Sequence, residues 1–316
     1  MKKFEPLSLE GVTTVSLRDR KSKVSVDLFG KPYSPGSTTA AFLNGLPSAL
    51  GAMDLNAVID HIVRATENGR TVIFGMGAHV IKVGLAPLII QLMERGVITG
   101  IALNGAGAVH DAEVALEGKT SEDVETELDT GRFGMSEETA AFLNHAVAEG
   151  NQQGLGVGGS IGGKIISEKL PFGEFSILAR AARLNIPATI HVAIGTDINH
   201  LHPSFEPAAW GTASHLDFRL FSSLVSTLEE GVYVNIGSAV LLPEVFLKAL
   251  TLVRNKGYVV DHIATVNMDF IRHYRPLTNV VSRPTRRGGK GYNLVGHHEI
   301  MVPLLAAGIM ERLAAR

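Results

Sequence analysis

Apolar residues recur along this chain at two spacings, and the two alternate. From about Asn44 onward, stretches with apolar positions three and four apart give way to short β-branched runs closed by glycine or a small polar residue. The short runs predict strands over residues 70–74, 100–103, 189–192, 232–235 and 261–266. The helical spacing predicts helices over 56–68, 85–95, 136–150, 174–184, 217–228, 244–256 and 300–315. Strands alternating with helices imply right-handed crossovers, hence an α/β fold with a mainly parallel sheet and helices on both faces. Residues 1–43 differ: β-prone pieces at 12–17 and 24–28, set between Gly-Lys-Pro and Ser-Pro-Gly turns, predict an arm of small strands. No linker, repeat or low-complexity tract divides residues 44–316, which read as one domain.

Composition narrows the function classes. With 316 residues, 45% apolar and 19% charged, the chain can bury a sizeable core. Its 29 basic and 31 acidic residues leave a net charge of -2, so no global field draws it to nucleic acid or to an anionic membrane. The absence of cysteine excludes disulfides, thiolate zinc sites, iron–sulfur clusters and cysteine nucleophiles. The amino end carries no secretory pattern, and the longest apolar runs, near 83–92 and 302–309, are too short to span a bilayer. A cytoplasmic protein without nucleic-acid or membrane partners is expected.

Parallel sheets bind ligands outside the carboxyl ends of their strands. Those positions are rich here in glycine and small polar residues: Gly75-Met76-Gly77-Ala78-His79, Asn104-Gly105-Ala106-Gly107-Ala108-Val109-His110-Asp111, Ala193-Ile194-Gly195-Thr196-Asp197, Ile236-Gly237-Ser238 and Asn267-Met268-Asp269. Glycine lets backbone amides approach a pyrophosphate, and a following helix adds its amino-terminal partial charge. No single turn has the full GxGxxG spacing, and each alone is equally an ordinary tight turn; five at successive strand ends point to a ligand-binding rim, Rossmann-like in character.

Three other clusters compete for attention. Residues 156–165 contain GxxxxGK, but Ile165 follows the lysine where a magnesium-ligating hydroxyl is needed and a helix precedes it, so a mobile loop is expected rather than a phosphate loop. His200, His202 and His298, with Asp197, could build a His/carboxylate metal site; the plainer reading is hydrogen-bonding imidazoles, since no pair has HExxH spacing, and no metal is assigned. Arg283, Arg286, Arg287 and Lys290 form the dense basic run: a solvated loop, or a clamp for a carboxylate or phosphate if it folds over the rim.

The order of these motifs resembles the deoxyhypusine synthase family over most of residues 44–312, through the strand and glycines ahead of 81–84, the 105–111 turn, Ile186-Pro187 leading to Thr196-Asp197, Gly237-Ser238 and Val302-Pro303-Leu304-Leu305. The resemblance implies a fold that binds NAD across its strand ends, and a homotetramer with sites at subunit interfaces. It places the cofactor against Gly75, Gly77, Ala78, Asn104, Gly105, Gly107, Asp111, Gly237, Ser238, Asn267, His297 and His298. The family's Trp-Gly-Lys segment, whose lysine forms the imine, is missing: Lys290 lies in Gly-Gly-Lys-Gly and Trp210 is elsewhere. Asp197 matches an acid that holds the polyamine, whereas other family acids fall at His202, His110 and His297. The turn 104–116 is also similar to the NAD-binding domain of archaeal-type ornithine cyclodeaminases.

The expectation is therefore an NAD-dependent enzyme, a transferase or lyase, acting on a small amine or amino acid by transient oxidation to an imine, and not the modification of a protein lysine. Asp197 would orient the amine, His110 or His202 would act as general base, and Lys290 is a candidate imine-forming amine. A non-catalytic nucleotide-binding protein and a His/carboxylate metallohydrolase are the alternatives. Gly237→Val is expected to abolish cofactor binding and leave the fold intact.

Overall fold

The computed structural model describes residues 4–315. Its sheet consists of β1 (Val72–Met76), β2 (Gly100–Asn104), β3 (Ala188–His191), β4 (Val232–Ile236), β5 (Ala264–Asp269) and β6 (Lys290–Val295). Every neighbouring pair is parallel, and the spatial order is β3-β2-β1-β4-β5-β6. Around it lie α1 (Thr39–Asn44), α2 (Leu50–Glu67), α3 (His79–Lys82), α4 (Ala86–Glu94), α5 (Gly105–Glu117), α6 (Val124–Asp129), α7 (Glu137–Gln152), α8 (Val157–Ser167) and α9 (Ile177–Arg183). α10 (Pro207–Ser226), α11 (Leu241–Asn255), α12 (Tyr274–Pro276), which runs into a π-turn over Leu277–Ser282, and α13 (His298–Ala314) complete it. This is the Rossmann-like α/β architecture the alternating pattern predicts.

Both sheet faces are covered, which is why the central strands read as nearly continuous apolar runs. Val72, Phe74, Met76, Ile101, Leu103, Val234 and Val266 point into one core with α2, α4, α5, α8, α9 and α13. Ile73, Ala102 and Tyr233 point the other way, against Phe221 of α10 and Leu242 and Phe246 of α11. α2 shows the logic of its spacing: Leu55, Val58, Ile59, Ile62 and Val63 are buried on one stripe.

Four expectations need correction. A sixth strand, β6, was not expected: it takes up Lys290 while the rest of the basic run lies in the largely exposed turn over 283–289, and as an edge strand opening Lys290-Gly291 it is exposed over its first two residues and carries little apolar signal. Strand β5 runs on through Asn267, Met268 and Asp269, which are not post-strand residues. The small strands expected at 12–17 and 24–28 are absent; among the described residues of the arm, Val26–Leu28 forms a 3₁₀ turn and no strand has a pairing partner. The glycine cluster at 156–163 is no mobile loop but α8 and its N-cap. A Cβ on Gly158 would lie 2.1 Å from the Ala188 carbonyl oxygen, and one on Gly162 2.5 Å from that of Leu178, so these glycines seat α8 directly on β3 and α9. Buried Asp217 of α10 fastens that seat: its Oδ2 accepts from the amides of Gly158 (3.0 Å) and Ile190 (2.8 Å).

Candidate functional site

β1 and β4 are adjacent, yet the chain leaves β1 toward β2 on one side and enters β4 with β5 on the other, so the crevice between their carboxyl ends is the topological switch point. Two glycine turns meet there. The Gly77 amide donates to the Ile236 carbonyl at 2.8 Å, and a Cβ on Gly77 would come 2.3 Å from the Gly237 oxygen. Gly237 has φ +65°, a left-handed conformation that favours glycine. Its missing Cβ would sit 2.6 Å from Cε1 of His298, so a valine there strains the backbone and displaces a fully buried ring. Gly237→Val is thus not a fold-neutral test of ligand binding.

His298 opens α13 beneath this turn. Its Nε2 lies 3.3 Å from the Met268 carbonyl oxygen, a bond that puts the proton on Nε2, while buried Nδ1 has no partner. Burial lowers its pKa, partly offset by Asp269. The rings of His79, Phe270, His297 and His298 form one cluster, with Phe270 and His297 stacked at 5.8 Å. Below, Asn235, Asn267 and Asn293 form a ladder across β4, β5 and β6: Asn235 donates to Asn267 (2.8 Å) and to the Ser238 carbonyl (3.0 Å), and Asn267 donates to Asn293 (2.9 Å). The ladder positions the Ser238 turn, and Asn267 faces its neighbours rather than the crevice.

Beside the switch point, at the ends of β2 and β3, a cleft of about 200 Å³ is lined by Lys82, His110, Glu113, Glu122, Phe133 and Asp197, among others. The N-cap side chain of Asn104 accepts from the Gly107 amide and starts α5, which carries His110 and Glu113 into the cleft. Thr120 donates to Glu113, so the contact between His110 Nδ1 and Thr120 places the His110 proton on Nδ1 and leaves Nε2 as a free base. Burial alone would raise the Glu113 pKa, but hydrogen bonds from His110 and Thr120 prevail and lower it.

Asp197 sits against the start of α5: a Cβ on Gly105 would fall 1.9 Å from its Oδ2. Burial pushes its carboxyl up to about 6, against a hydrogen bond from the Ala106 amide. His200 closes a capping box with it. His200 Nδ1 accepts from the amides of Gly195 (3.1 Å) and Asp197 (3.2 Å), which fixes the proton on Nε2. That buried N–H and Asp197 Oδ2 lie 4.0 Å apart, and neither has a partner.

The structure thus brings Asp197 and His110 to one cleft and Gly77, Ala78, Gly237, Ser238, His297 and His298 to one crevice. Other sequence-predicted site residues lie elsewhere. Gly75 packs inside the sheet, where a Cβ would meet the Tyr233 hydroxyl at 2.5 Å. Asp111 is buried under α9, accepting from Ser176 Oγ and the amides of Ile177 (2.7 Å) and Leu178 (3.3 Å). His202 is held by Ser204, its Nδ1 2.8 Å from the hydroxyl, outside the cleft. Lys290 starts β6 opposite Ala264 at the amino edge of the sheet, away from the strand ends that carry Asp197. The basic run therefore does not fold over the rim, and the cleft keeps Glu113, Glu122 and Asp197 as its dominant charges. Asp197, His200, His202 and His298 do not converge, and among the described residues no group of three or more His, Asp or Glu is placed to hold a metal ion. Sequence reasoning missed Lys82, Glu113 and Glu122, although Glu113 stands one helical turn from His110 and so was readable.

No protein-family model matches the chain, and no curated protein matches it in sequence. Solved structures do. It is similar to a candidate LOR/SDH protein from Methanococcus maripaludis S2 (17% identity, TM-score 0.53, 84% of this chain and 71% of that one). It is similar to AgrE in a ternary complex with ornithine and NAD+ (14% identity, TM-score 0.54, 84% of this chain). This chain spans only 34% of AgrE's length. A candidate deoxyhypusine synthase from Entamoeba histolytica aligns over 89% of this chain and 96% of its own (14% identity, TM-score 0.51). At such identities the likeness establishes the shared Rossmann-like fold.

Proposed function

We propose that the chain is an NAD-dependent enzyme that oxidises a small amine or amino acid transiently to an imine, without modifying a protein lysine. The observation that carries this reading is the unpartnered Asp197 Oδ2 beside the tautomer-fixed His200 N–H, at the wall of a carboxylate-rich cleft next to the switch point. Ionised Asp197 pairs with the substrate amine and orients it. His110, with Nε2 free, takes the proton the ammonium must shed, and Glu113 stabilises the imidazolium through Thr120 and its own charge (3.5 Å). Lys82 at the cleft faces an amino-acid carboxylate.

The crevice is where a dinucleotide would be held: Gly77 and Gly237 bring the two turns together at the switch point, and the exposed, mutually stacked Phe270 and His297 rings offer a face to a flat ring. NAD, when bound, supplies the hydride acceptor for the carbon bearing the amine. The structural likeness to AgrE, solved with ornithine and NAD+, supports the same reading. A homotetramer belongs to this proposal; the arm holds Phe4, Leu7, Leu9, Val15 and Tyr33 out to solvent, apolar surface suited to a second copy.

Calorimetric titration of metal-free protein with NAD+ should give micromolar, saturable binding. Candidate amines and amino acids should then produce reversible nicotinamide reduction, which Asp197→Asn and His110→Ala abolish while cofactor affinity stays within about twofold. No binding by a folded, oligomeric protein overturns the proposal; binding without hydride cycling assigns the chain to the non-catalytic alternative.

A further inference from the structure

The basic run singled out in the sequence has no part in the rim, and the structure gives it another location. At the amino edge of β4, β5 and β6 lies a depression of about 270 Å³, lined by His61 and Arg64 of α2, Glu230, His262, the Gly288-Gly289 backbone and Lys290. Its charges sort into pairs with a remainder. Glu230 is engaged by Arg70, and Glu229, whose Oε1 lies 2.7 Å from His262 Nδ1, faces Arg254 as well. Asp261, nearby, is taken by Arg254 (3.5 Å) and Arg287 (3.7 Å). Arg64 and Lys290 remain, and both line the depression: with burial they lower the pKa of His61, against Asp60, whose own charge is paired with Arg312. His61 keeps its own place through Tyr292, whose hydroxyl lies 3.1 Å from Nε2.

The floor is shaped to expose backbone. Gly288 has φ +109° and lies so close to His262 that a Cβ would meet its ring at 3.0 Å; one on Gly289 would be 2.6 Å from the Ile263 oxygen. Close packing thus requires glycine at both positions, and the main chain at exposed Gly288 is open to a ligand. An excess of two positive charges, from an Arg and a Lys on different elements over a glycine floor, matches a group carrying about two negative charges and several acceptor oxygens.

We infer that this depression is a second ligand site, for a phosphate group, free or as a small phosphomonoester. It is separated from the catalytic cleft by the length of the strands, since it lies at their amino ends and the cleft at their carboxyl ends. Lys290 thus serves as a phosphate-binding cation.

The test is calorimetry on the full chain with inorganic phosphate and with glycerol phosphate, in chloride buffer. One saturable site per chain is expected, weakened at least about tenfold in Lys290→Gln and in Arg64→Gln and unchanged in Asp197→Asn. Tighter binding of the ester identifies an organic phosphate as the ligand; equal affinity identifies the free ion. Because both variants change exposed residues, their melting temperatures without phosphate should match the parent, and the rise that phosphate gives the parent should vanish. No saturable binding, or binding that survives both substitutions, overturns the inference.

Discussion

At the scale of single residues, the glycines of the rim act mainly on neighbouring protein atoms. Gly105 is the sharpest case: only a hydrogen there lets Asp197 reach the first turn of α5. Gly105→Ala puts a methyl where Oδ2 sits, and overpacking of this kind costs about 1–3 kcal/mol. Urea unfolding should show that loss with an unchanged m-value, and amine binding should weaken together with it. That Asp197 and His110 stand together at the carboxyl ends of the strands was legible in the sequence, because both follow predicted strands. The positions of Asp111 and Lys290 were not. Asp111 stands one residue beyond His110 on α5, and that single step turns it from the cleft into the α9 cap. Lys290 was misplaced because a basic run does not announce which edge of the sheet it reaches; an unrecognised strand reversed the answer.

Elements with strong periodicity were readable, and those built on glycine were not. α2, α4, α7 and α11 carry apolar stripes that survive any register error of a residue or two. α8 reads as a loop because glycine is a poor helix former, and it is a helix because tertiary contacts demand glycine on one face. That account makes opposite predictions for adjacent residues. Gly159 and Gly163 have nothing within 4 Å of a would-be Cβ, whereas Gly158 and Gly162 face backbone carbonyls. Gly159→Ala and Gly163→Ala should each stabilise by about 0.5–1 kcal/mol, from reduced chain entropy alone. Gly158→Ala and Gly162→Ala should each destabilise by about 1–3 kcal/mol. Chemical denaturation of the four variants decides; equal effects at all four positions would contradict the packing of α8 on β3 and α9.

For the whole molecule, the alternation of strands and helices was enough to give the parallel sheet, while strand order, which locates the switch point, came only with the structure. The sequence also gave no hint that three aspartates are buried at load points of the fold. Burial pushes Asp111 and Asp197 up to about 6 and Asp217 up to about 7, despite amide hydrogen bonds to each. An unfolded aspartate titrates near about 3.9, so between there and the folded value the native state holds a proton the unfolded state has lost. Stability from such a group is fully present below the unfolded pKa and falls as pH rises through the folded one, by up to about 1.4 kcal/mol per pH unit. His191 opposes this: burial lowers it to about 3, so its contribution falls as pH drops below the unfolded value of about 6.5. The parent's pH profile therefore mixes signs, and the difference between two proteins isolates one group. Asp217→Asn keeps the oxygen that accepts from Gly158 and Ile190 and removes the ionisation. Its stability relative to the parent should climb as pH rises from 4 toward about 7 and level off above that. A flat difference across that range would mean that Asp217 ionises in the fold as easily as in the unfolded chain, and that α8 is held by some other contact.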